Sequence, residues 1–363
     1  MKETFDSIKS TVHKYRKWEP LVFFIAGFTF DAILLHRIDD PLMLVHQAIY
    51  LVLSAFIIAW DLFNEIGLGH VPSWLQKPWK YREGILHFLL GTLLNVYTIF
   101  YFKSGTIFGS LVFLMILGAL LFLNEVRPPH ISKHILRNGL FALCLVSYMN
   151  IIVPIAIGSI GVWVFILAIA AATLIHSLYV LWLKKKLETR KVWLEIRLPF
   201  VGVAVVYTLL YLFKVLPPVP LSLKYIGIYH QVAKVGDTYQ LSYTRPAWKF
   251  WQSGDQTFEA KPGDTINCFV QVFSPTRFKD QLFVRWQYYD TKRGWVSADA
   301  IPLGIVGGRA EGYRGYTTKN NYQPGEWKVN VETNDGRVVG GIKFQVVAAE
   351  ASDEPVVMNV DLK

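Results

Sequence analysis

The 363-residue chain is 53% hydrophobic and 15% aromatic, and only 18% of its residues are charged. These values are unusual for a soluble protein and fit a membrane protein that carries a soluble appendage. The formal net charge of +10 would suit a nucleic-acid-binding protein, but residues 1–220 hold 20 Lys and Arg against 12 Asp and Glu, while residues 221–363 hold 17 against 15. The excess lies in the apolar part, so we expect a membrane and not a nucleic acid to explain it.

Seven long apolar runs occupy the first two-thirds of the chain, each close to the roughly 20 residues with which a helix crosses a membrane. They are residues 20–36, 42–60, 84–102, 106–124, 137–157, 160–182 and 194–214. The polar, basic segment 1–19 precedes the first run, and no small-residue cleavage site follows it, so we do not expect a cleaved signal peptide. The sequence thus predicts a cytoplasmic basic N-terminus over 1–19 and a seven-helix transmembrane domain over 20–215.

The orientation of these helices follows from the distribution of Lys and Arg between their connections. With the N-terminus inside, the cytoplasmic segments carry seventeen Lys and Arg, whereas the outer connections carry Arg37, Lys103 and Lys214. An odd number of spans then places everything after residue 215 on the outer side. The sequence predicts a multi-pass protein of the bacterial inner membrane with a periplasmic C-terminal domain.

The segment "LPPVPLSL" leaves the last span, and its prolines predict a stiff linker over 216–224 because proline fixes φ. Beyond it the hydrophobic period changes to two, as in "QLFVRWQYYD" and "EWKVNV", and "NDG" is a hairpin turn. About seven to nine short strands fit into this part of the chain. The predicted fold is an all-α membrane bundle followed by an all-β, immunoglobulin-like sandwich over 225–348, with a flexible tail over 349–363.

The layout resembles a family of uncharacterised bacterial inner-membrane proteins, in which several spans precede a C-terminal β-type domain of unknown function. The resemblance rests on "PPVPLSL" and "GIYHQV" at the membrane exit, on "RWQYYD" and "GGRAEGYRGYTTK", and on "GEWKVNVETNDGRVVGGIKFQV". It implies a location and an architecture. No activity and no catalytic residue come with it.

Polar residues within predicted spans are candidates for function, because a charge in hydrocarbon is costly. If their helices pack together, Asp31, His36 and His46 form a polar cluster that opens outward as a proton relay, metal site or substrate anchor; otherwise Asp31 and His36 reach water in the headgroup zone. Near the cytoplasmic ends, Asp61 and Glu65 are expected to be solvated. The intramembrane polar candidates are Asp31, His36, His46, Asn95 and Asn150.

The stretch "GGRAEGYRGYTTK", residues 307–319, is the main surface candidate. Glycine N–H groups and arginine forks suit an anion, and tyrosines stack on sugars or peptides. The same residues also read as a strand, with Tyr313 and Lys319 on one face and Tyr316 on the other. Trp286 and Trp327 are expected in the core. The candidate ligand-binding residues are Arg309, Tyr313, Arg314, Tyr316, Lys319, Trp248 and Trp251.

The chain contains no H-E-x-x-H and no G-x-S-x-G motif, and its C-terminal part has a single histidine, His230. We therefore predict a non-enzymatic protein without cofactor or metal, whose β-sandwich binds an envelope polymer or a periplasmic protein. Besides the lipid bilayer, no nucleic acid is expected as a partner, and the oligomeric state stays open. The alternative is a transporter or a membrane-embedded enzyme with a polar site near Asp31, His36 and His46.

Overall fold

The computed structural model gives the chain a helical part followed by a part built of β-strands. It describes residues 38–68, 73, 76–105, 111–112, 115–116, 119, 132–246, 248–275, 278–306, 312–349 and 359–362. The predicted spans 20–36 and, for the most part, 106–124 lie outside these residues. The number of seven spans therefore stays a prediction.

Five helices of the described part are long and apolar enough to cross a membrane. Each coincides with one of the predicted apolar runs, and a short helix stands between the first two. In chain order the helices are α1 (Pro41–Glu65), α2 (Gln76–Trp79), α3 (Arg82–Lys103), α4 (Lys133–Ile157), α5 (Val162–Lys184) and α6 (Thr189–Leu212).

Local sequence signals set several of these helix ends. Asp40 precedes α1 and its side chain accepts the Leu42 N–H at 3.0 Å, while Pro41 fits the first turn because its missing N–H is not needed there. Ser132 accepts the His134 N–H in the same way at the start of α4. Helix α4 stops at Gly158, whose φ of 77° is the left-handed conformation that glycine adopts without strain.

The contacts of the long helices divide their ends into two groups. The end of α1 contacts the starts of α3 and α4 through ion pairs of Asp61 and Glu65. At the opposite end, the segment between α4 and α5 contacts the β part, where the Ile160 N–H donates to Asp280. The basic segments around Lys133 and Lys191 thus lie at the end of the helices that faces away from the β part.

The connection between the two parts is folded and buried, whereas the sequence suggested a stiff extended linker over 216–224. Val219 donates its N–H to Pro217 O at 2.9 Å, and the Val219–Pro220 peptide bond is cis. Leu216, Val219 and Leu221 are buried, because they fill the junction between the helices and the strands. The first strand already begins at Ser222.

The β part contains eleven described strands, more than the seven to nine expected, and forms a β-sandwich-like domain. Their order is β4-β10-β9-β6-β7 in a five-stranded sheet, β1-β5-β8 in a second sheet and β11-β3-β2 in a third. The strands are β1 (Ser222–Tyr229), β2 (Gln231–Val235), β3 (Thr238–Tyr243), β4 (Thr257–Ala260), β5 (Ile266–Phe273), β6 (Lys279–Asp290), β7 (Gly294–Val306), β8 (Tyr313–Lys319), β9 (Gly325–Thr333), β10 (Val338–Ala348) and β11 (Asn359–Leu362).

The main core lies between the five-stranded sheet and the sheet β1-β5-β8. Trp286, Trp327 and Phe344 enter it from one side, as their period-two alternation predicts, and Cys268 and Val270 enter it from β5. Burial of large aromatic side chains from several strands is the main stabilising contribution in such a core. Both tryptophans therefore lie in the core, as the sequence predicts.

The third sheet covers the outer face of β5, where Phe269 packs against Leu241 and Tyr243. This arrangement explains why β5 is buried on both faces. Strand β11 pairs antiparallel with β3, from Asn359 opposite Tyr243 to Leu362 opposite Gln240. Part of the tail that was expected to be flexible, residues 349–363, is therefore ordered by main-chain pairing that side-chain pattern does not reveal.

Candidate functional site

The second half of the glycine-rich stretch is strand β8, in which buried and exposed residues alternate as the strand interpretation predicts. Lys319 is buried, forms an ion pair with Asp299 and lies 5.8 Å from the centre of the Trp327 ring. Tyr313 is half-buried and packs against the main core. Because both side chains are already engaged inside the domain, neither presents itself to a ligand.

The outer face of β8 contacts the hairpin between β2 and β3. Arg314 Nη1 donates to Asp237 O at 3.1 Å, and the ring of Tyr316 meets that of Tyr239 edge-on at 6.4 Å. Arg309 lies outside the described residues. In its described part, this stretch therefore joins two sheets, and its proposed role as an anion site rests on residues 307–311 alone.

The loop between β3 and β4 presents large aromatic side chains to solvent; we call residues 244–256 the aromatic loop. The side chains of Trp248, Phe250 and Trp251 are 63%, 81% and 62% exposed. Trp251 meets Trp248 at 5.6 Å and 64°, and it meets Phe250 at 5.4 Å and 80°. The rings thus form a wedge of edge-to-face contacts and not a flat platform.

Hydrogen bonds to one buried carboxylate hold both ends of the aromatic loop. Asp255 accepts the Thr244 N–H at 3.0 Å and the Arg245 N–H at 2.7 Å, while its own N–H donates to Ile228 O at 2.8 Å. Within the loop, Arg245 Nη1 donates to Lys249 O at 2.7 Å. The exposed rings therefore stand on a base that is fixed to the end of β1, so little conformational entropy is lost if they bind.

His230 lies between β1 and β2, beside the base of the aromatic loop. It stacks on Phe258 at 4.1 Å, and its Nε2 lies 3.6 Å from Asp255 Oδ2. Burial lowers the pKa of His230 below its ordinary value, so the ring is neutral near pH 7. The histidine packs inside the domain, which fits a structural role better than proton transfer to a ligand.

The intramembrane candidates do not converge in the described part of the helices. His46 lies on the exposed side of α1, 5.8 Å from the Tyr50 ring, whereas Asn150 is buried and donates to Val146 O at 2.9 Å. Asn95 is half-buried on α3. Asp31 and His36 fall outside the described residues, so a cluster of these two with His46 stays a prediction.

A buried ion network stands at the end of the helices that faces away from the β domain. Arg137 donates from Nη1 to Asp61 and from Nη2 to Glu83, both at 2.9 Å, and Arg82 Nε donates to Asp61 at 2.6 Å. Asp61 is 5% exposed, which corrects the expectation that it is solvated. Hydropathy places such residues at a span end, but it does not show that three helix ends converge there.

Four lysines from separate segments line a cleft between the end of α3 and the β domain: Lys103, Lys224, Lys328 and Lys343. Sequence analysis missed this cleft. The hairpin turn at "NDG" and the alternation of β9 and β10 put Lys328 and Lys343 on one outward face, which is the signal that was available. Their approach to Lys103 and Lys224 depends on how the two parts of the chain pack, which no local pattern encodes.

None of these arrangements offers a metal centre. Within the described ranges, no three His, Cys, Asp or Glu side chains are grouped so that they could hold an ion. Cys144 and Cys268 are both buried as free thiols.

Comparison with known proteins gives the β domain a relative of unknown function. The family model described as "Protein of unknown function (DUF2914)" matches residues 279–346, from the start of β6 almost to the end of β10. Over these residues the chain is similar to an uncharacterised β-type domain. A search of curated proteins finds no match to the sequence.

Two solved structures illustrate the structural similarity. An immunoglobulin-like protein from Pseudomonas aeruginosa is 12% identical, with 34% of this chain and 97% of that chain covered and a TM-score of 0.20. A β-glucosidase from Listeria innocua in complex with gluconolactone is 11% identical, with 33% of this chain covered and a TM-score of 0.20. The chain spans 17% of the length of that β-glucosidase.

Proposed function

We propose that the chain is a non-enzymatic integral protein of the bacterial inner membrane, whose β domain stands in the periplasm and binds a partner protein through the aromatic loop. The observation that carries the proposal is the group of three exposed rings on a fixed base. Exposed aromatic groups of this kind mark sites of association, because they gain most from leaving water.

The membrane part of the proposal is supported by the five long apolar helices and by the position of the basic residues. Lys133 and Lys191 belong to the end of the helices opposite the β domain. Positively charged connections stay on the cytoplasmic side, so this arrangement favours a periplasmic β domain.

A protein partner suits the aromatic loop better than a bilayer or a glycan. The loop is fixed to Ile228 near the end of β1, roughly 20 Å along the strand from Ser222, where the strand leaves the helices. This distance separates the loop from the helix ends, and so from a bilayer around the helices. A wedge of rings at steep angles fills a concave apolar pocket, whereas sugar rings call for a flat face. Lys249 lies 5.3 Å from the centre of the Trp248 ring, which favours a pocket with acidic side chains at its edge.

Photo-crosslinking in cells tests the partner. A crosslinking residue in place of Phe250 should give a discrete protein adduct that disappears when Trp248 and Trp251 are both changed to alanine. The matched control is the same crosslinker in place of Tyr289, which is an exposed aromatic residue near the end of β6 and outside the aromatic loop. Equal adducts at both positions would contradict the proposal, and so would binding of the purified protein to isolated cell walls that the tryptophan changes abolish.

A transporter or membrane enzyme is the second candidate, and one observation favours it. Gln47 and Ser54 are buried seven residues apart on one face of α1, and their side chains have no hydrogen-bond partner in the described part of the chain. If polar groups there serve a substrate, Gln47→Leu should abolish the cellular phenotype while the tryptophan changes leave it intact. The reverse result would exclude this candidate.

A further inference from the structure

A cleft of about 1100 Å³ opens where the end of α3 meets the face of the β domain. Lys103 and Phe102 border it from the helix, Lys224 and Leu223 border it from β1, and the outward face of β9 and β10 closes it. We call it the basic cleft. Its volume lies just above the usual range of sites that hold a small ligand.

Like charges face one another in the basic cleft. Lys328 and Lys343 are directly opposite in the register of β9 and β10, and both ammonium groups lie over the Trp295 ring, at 4.7 and 5.5 Å from its centre. Directly opposed like charges destabilise a sheet. Burial and the charge of Lys343 lower the pKa of Lys328. The charged form of Lys328 is thus disfavoured at this position. An anion between the two ammonium groups would remove the repulsion.

The described residues that line the basic cleft include no aspartate or glutamate. Lys224 Nζ lies 5.4 Å from the centre of the Phe273 ring and adds a third ammonium group to the lining. A lysine ammonium is a compact point charge that suits phosphate. The charge of the cleft is therefore complementary to a phosphate group.

The remaining wall of the basic cleft is apolar. Phe102 is exposed at the end of α3, and Leu223 and Phe273 line the side of the β domain. Because α3 is long and apolar enough to span a membrane, its end stands at the level of the lipid headgroups if the helix is inserted. Charged groups beside apolar walls at that depth match a molecule that is itself charged at one end and apolar at the other.

We propose that the basic cleft binds an anionic membrane lipid, with its phosphate between Lys328 and Lys343 and its chains against Phe102 and Leu223. This inference rests on the proposed membrane insertion but not on the aromatic loop. It gives the β domain a second binding site at the opposite end of β1. The lipid would hold the face of the sheet against the end of α3.

Lipid binding to the full-length protein in an uncharged detergent tests this site. Fluorescent phosphatidylglycerol should bind more tightly than the phosphatidylcholine analogue with the same chains. The double variant Lys328→Gln/Lys343→Gln should lose affinity for phosphatidylglycerol roughly thirtyfold, since each lysine near an anionic lipid contributes a factor of about five. Its melting temperature without lipid should not fall, because the changes remove repulsion.

The matched control is Lys234→Gln/Lys292→Gln, which removes the same charge from exposed positions outside the basic cleft. It should bind phosphatidylglycerol as the unchanged protein does.

Equal losses in both double variants, or no loss in either, would overturn the proposal. Displacement of the lipid by millimolar inorganic phosphate would overturn it too, because the site would then hold free phosphate. The crosslink from position 250 should persist in the cleft variant, so failure of one proposal is separate from failure of the other.

Discussion

Arg137 is the most deeply buried member of the ion network where the end of α1 meets the starts of α3 and α4. It is 4% exposed and holds two carboxylates, of which that of Asp61 is buried as well. A buried ion pair contributes little net stability compared with an apolar pair, but removal of one partner is costly because a charge is left behind in a poorly solvated place. The network thus fixes where the starts of α3 and α4 meet the end of α1.

The change Arg137→Leu should lower the free energy of unfolding by ~3 kcal/mol, because Asp61 loses one of its two arginine partners and Glu83 loses a charged donor. Thermal unfolding of the purified protein in detergent measures the effect. Arg190→Leu, at an exposed position of the same end, should leave the melting temperature unchanged. The double variant Asp61→Leu/Arg137→Leu should recover much of the loss; a single variant as stable as the unchanged protein would contradict this account.

Lys328 and Lys343 differ from the Arg137 network, because two like charges face each other in the sheet. Their repulsion is a local cost that the fold tolerates, while Arg285, one strand further along the sheet, is neutralised by Glu332 at 2.7 Å. Two directly opposed lysines do not stabilise a sheet, so their presence in the basic cleft favours a role in binding an anionic ligand over a role in folding.

At the scale of elements, the aromatic loop depends on Asp255. The change Asp255→Ala removes three hydrogen bonds, two of them from backbone N–H groups at the start of the loop, and should cost ~3 kcal/mol. The loop should then open more often, and chymotrypsin should cut after its aromatic residues roughly tenfold faster.

Asp290→Ala is the matched control for this prediction. Asp290 also accepts two backbone N–H groups, those of Lys292 and Arg293, but it does so in the turn between β6 and β7. This change should leave cleavage within 244–256 at the rate of the unchanged protein. If both variants are cut there equally fast, Asp255 is not what fixes the aromatic loop.

Elements with a strong local pattern were predictable from the sequence. The apolar runs gave five described helices to within a few residues at most ends, and "NDG" gave the hairpin between β9 and β10. The faces of β8 also followed from alternation, with Tyr313 and Lys319 inward and Tyr316 outward. In each case the deciding interactions lie within one element or between neighbours in the chain.

The remaining features depend on contacts between distant parts of the chain. Pairing of β11 with β3 joins residues more than a hundred positions apart, and it adds a strand to the hairpin of β2 and β3. The exposure of Trp248 and Trp251 could be suspected, but the Asp255 base could not, because a buried aspartate looks like any loop aspartate in the sequence. The basic cleft was hidden for the same reason, since its lysines come from helix α3, strand β1 and the hairpin of β9 and β10.

At the scale of the whole molecule, the junction between the helices and the β domain is a packed contact. Arg337 lies 3.2 Å from the centre of the Tyr211 ring and donates to Asp335 at 2.8 Å, and Tyr211 Oη donates to the same carboxylate at 3.1 Å. Phe165 stacks on the other side of Tyr211 at 3.8 Å. The junction therefore holds the β domain in one place relative to the helix ends, which the basic cleft between them requires.

The proposed orientation is the central claim, because it is inferred from the distribution of Lys and Arg and the periplasmic partner depends on it. A reporter that is active only outside the cytoplasm, fused after Lys363, tests it most directly, with a second fusion after Lys186 in the basic segment between α5 and α6. We expect activity for the fusion at 363 and none at 186, because in the proposed orientation the chain crosses the membrane once between them. Activity at 186 with none at 363 would contradict it.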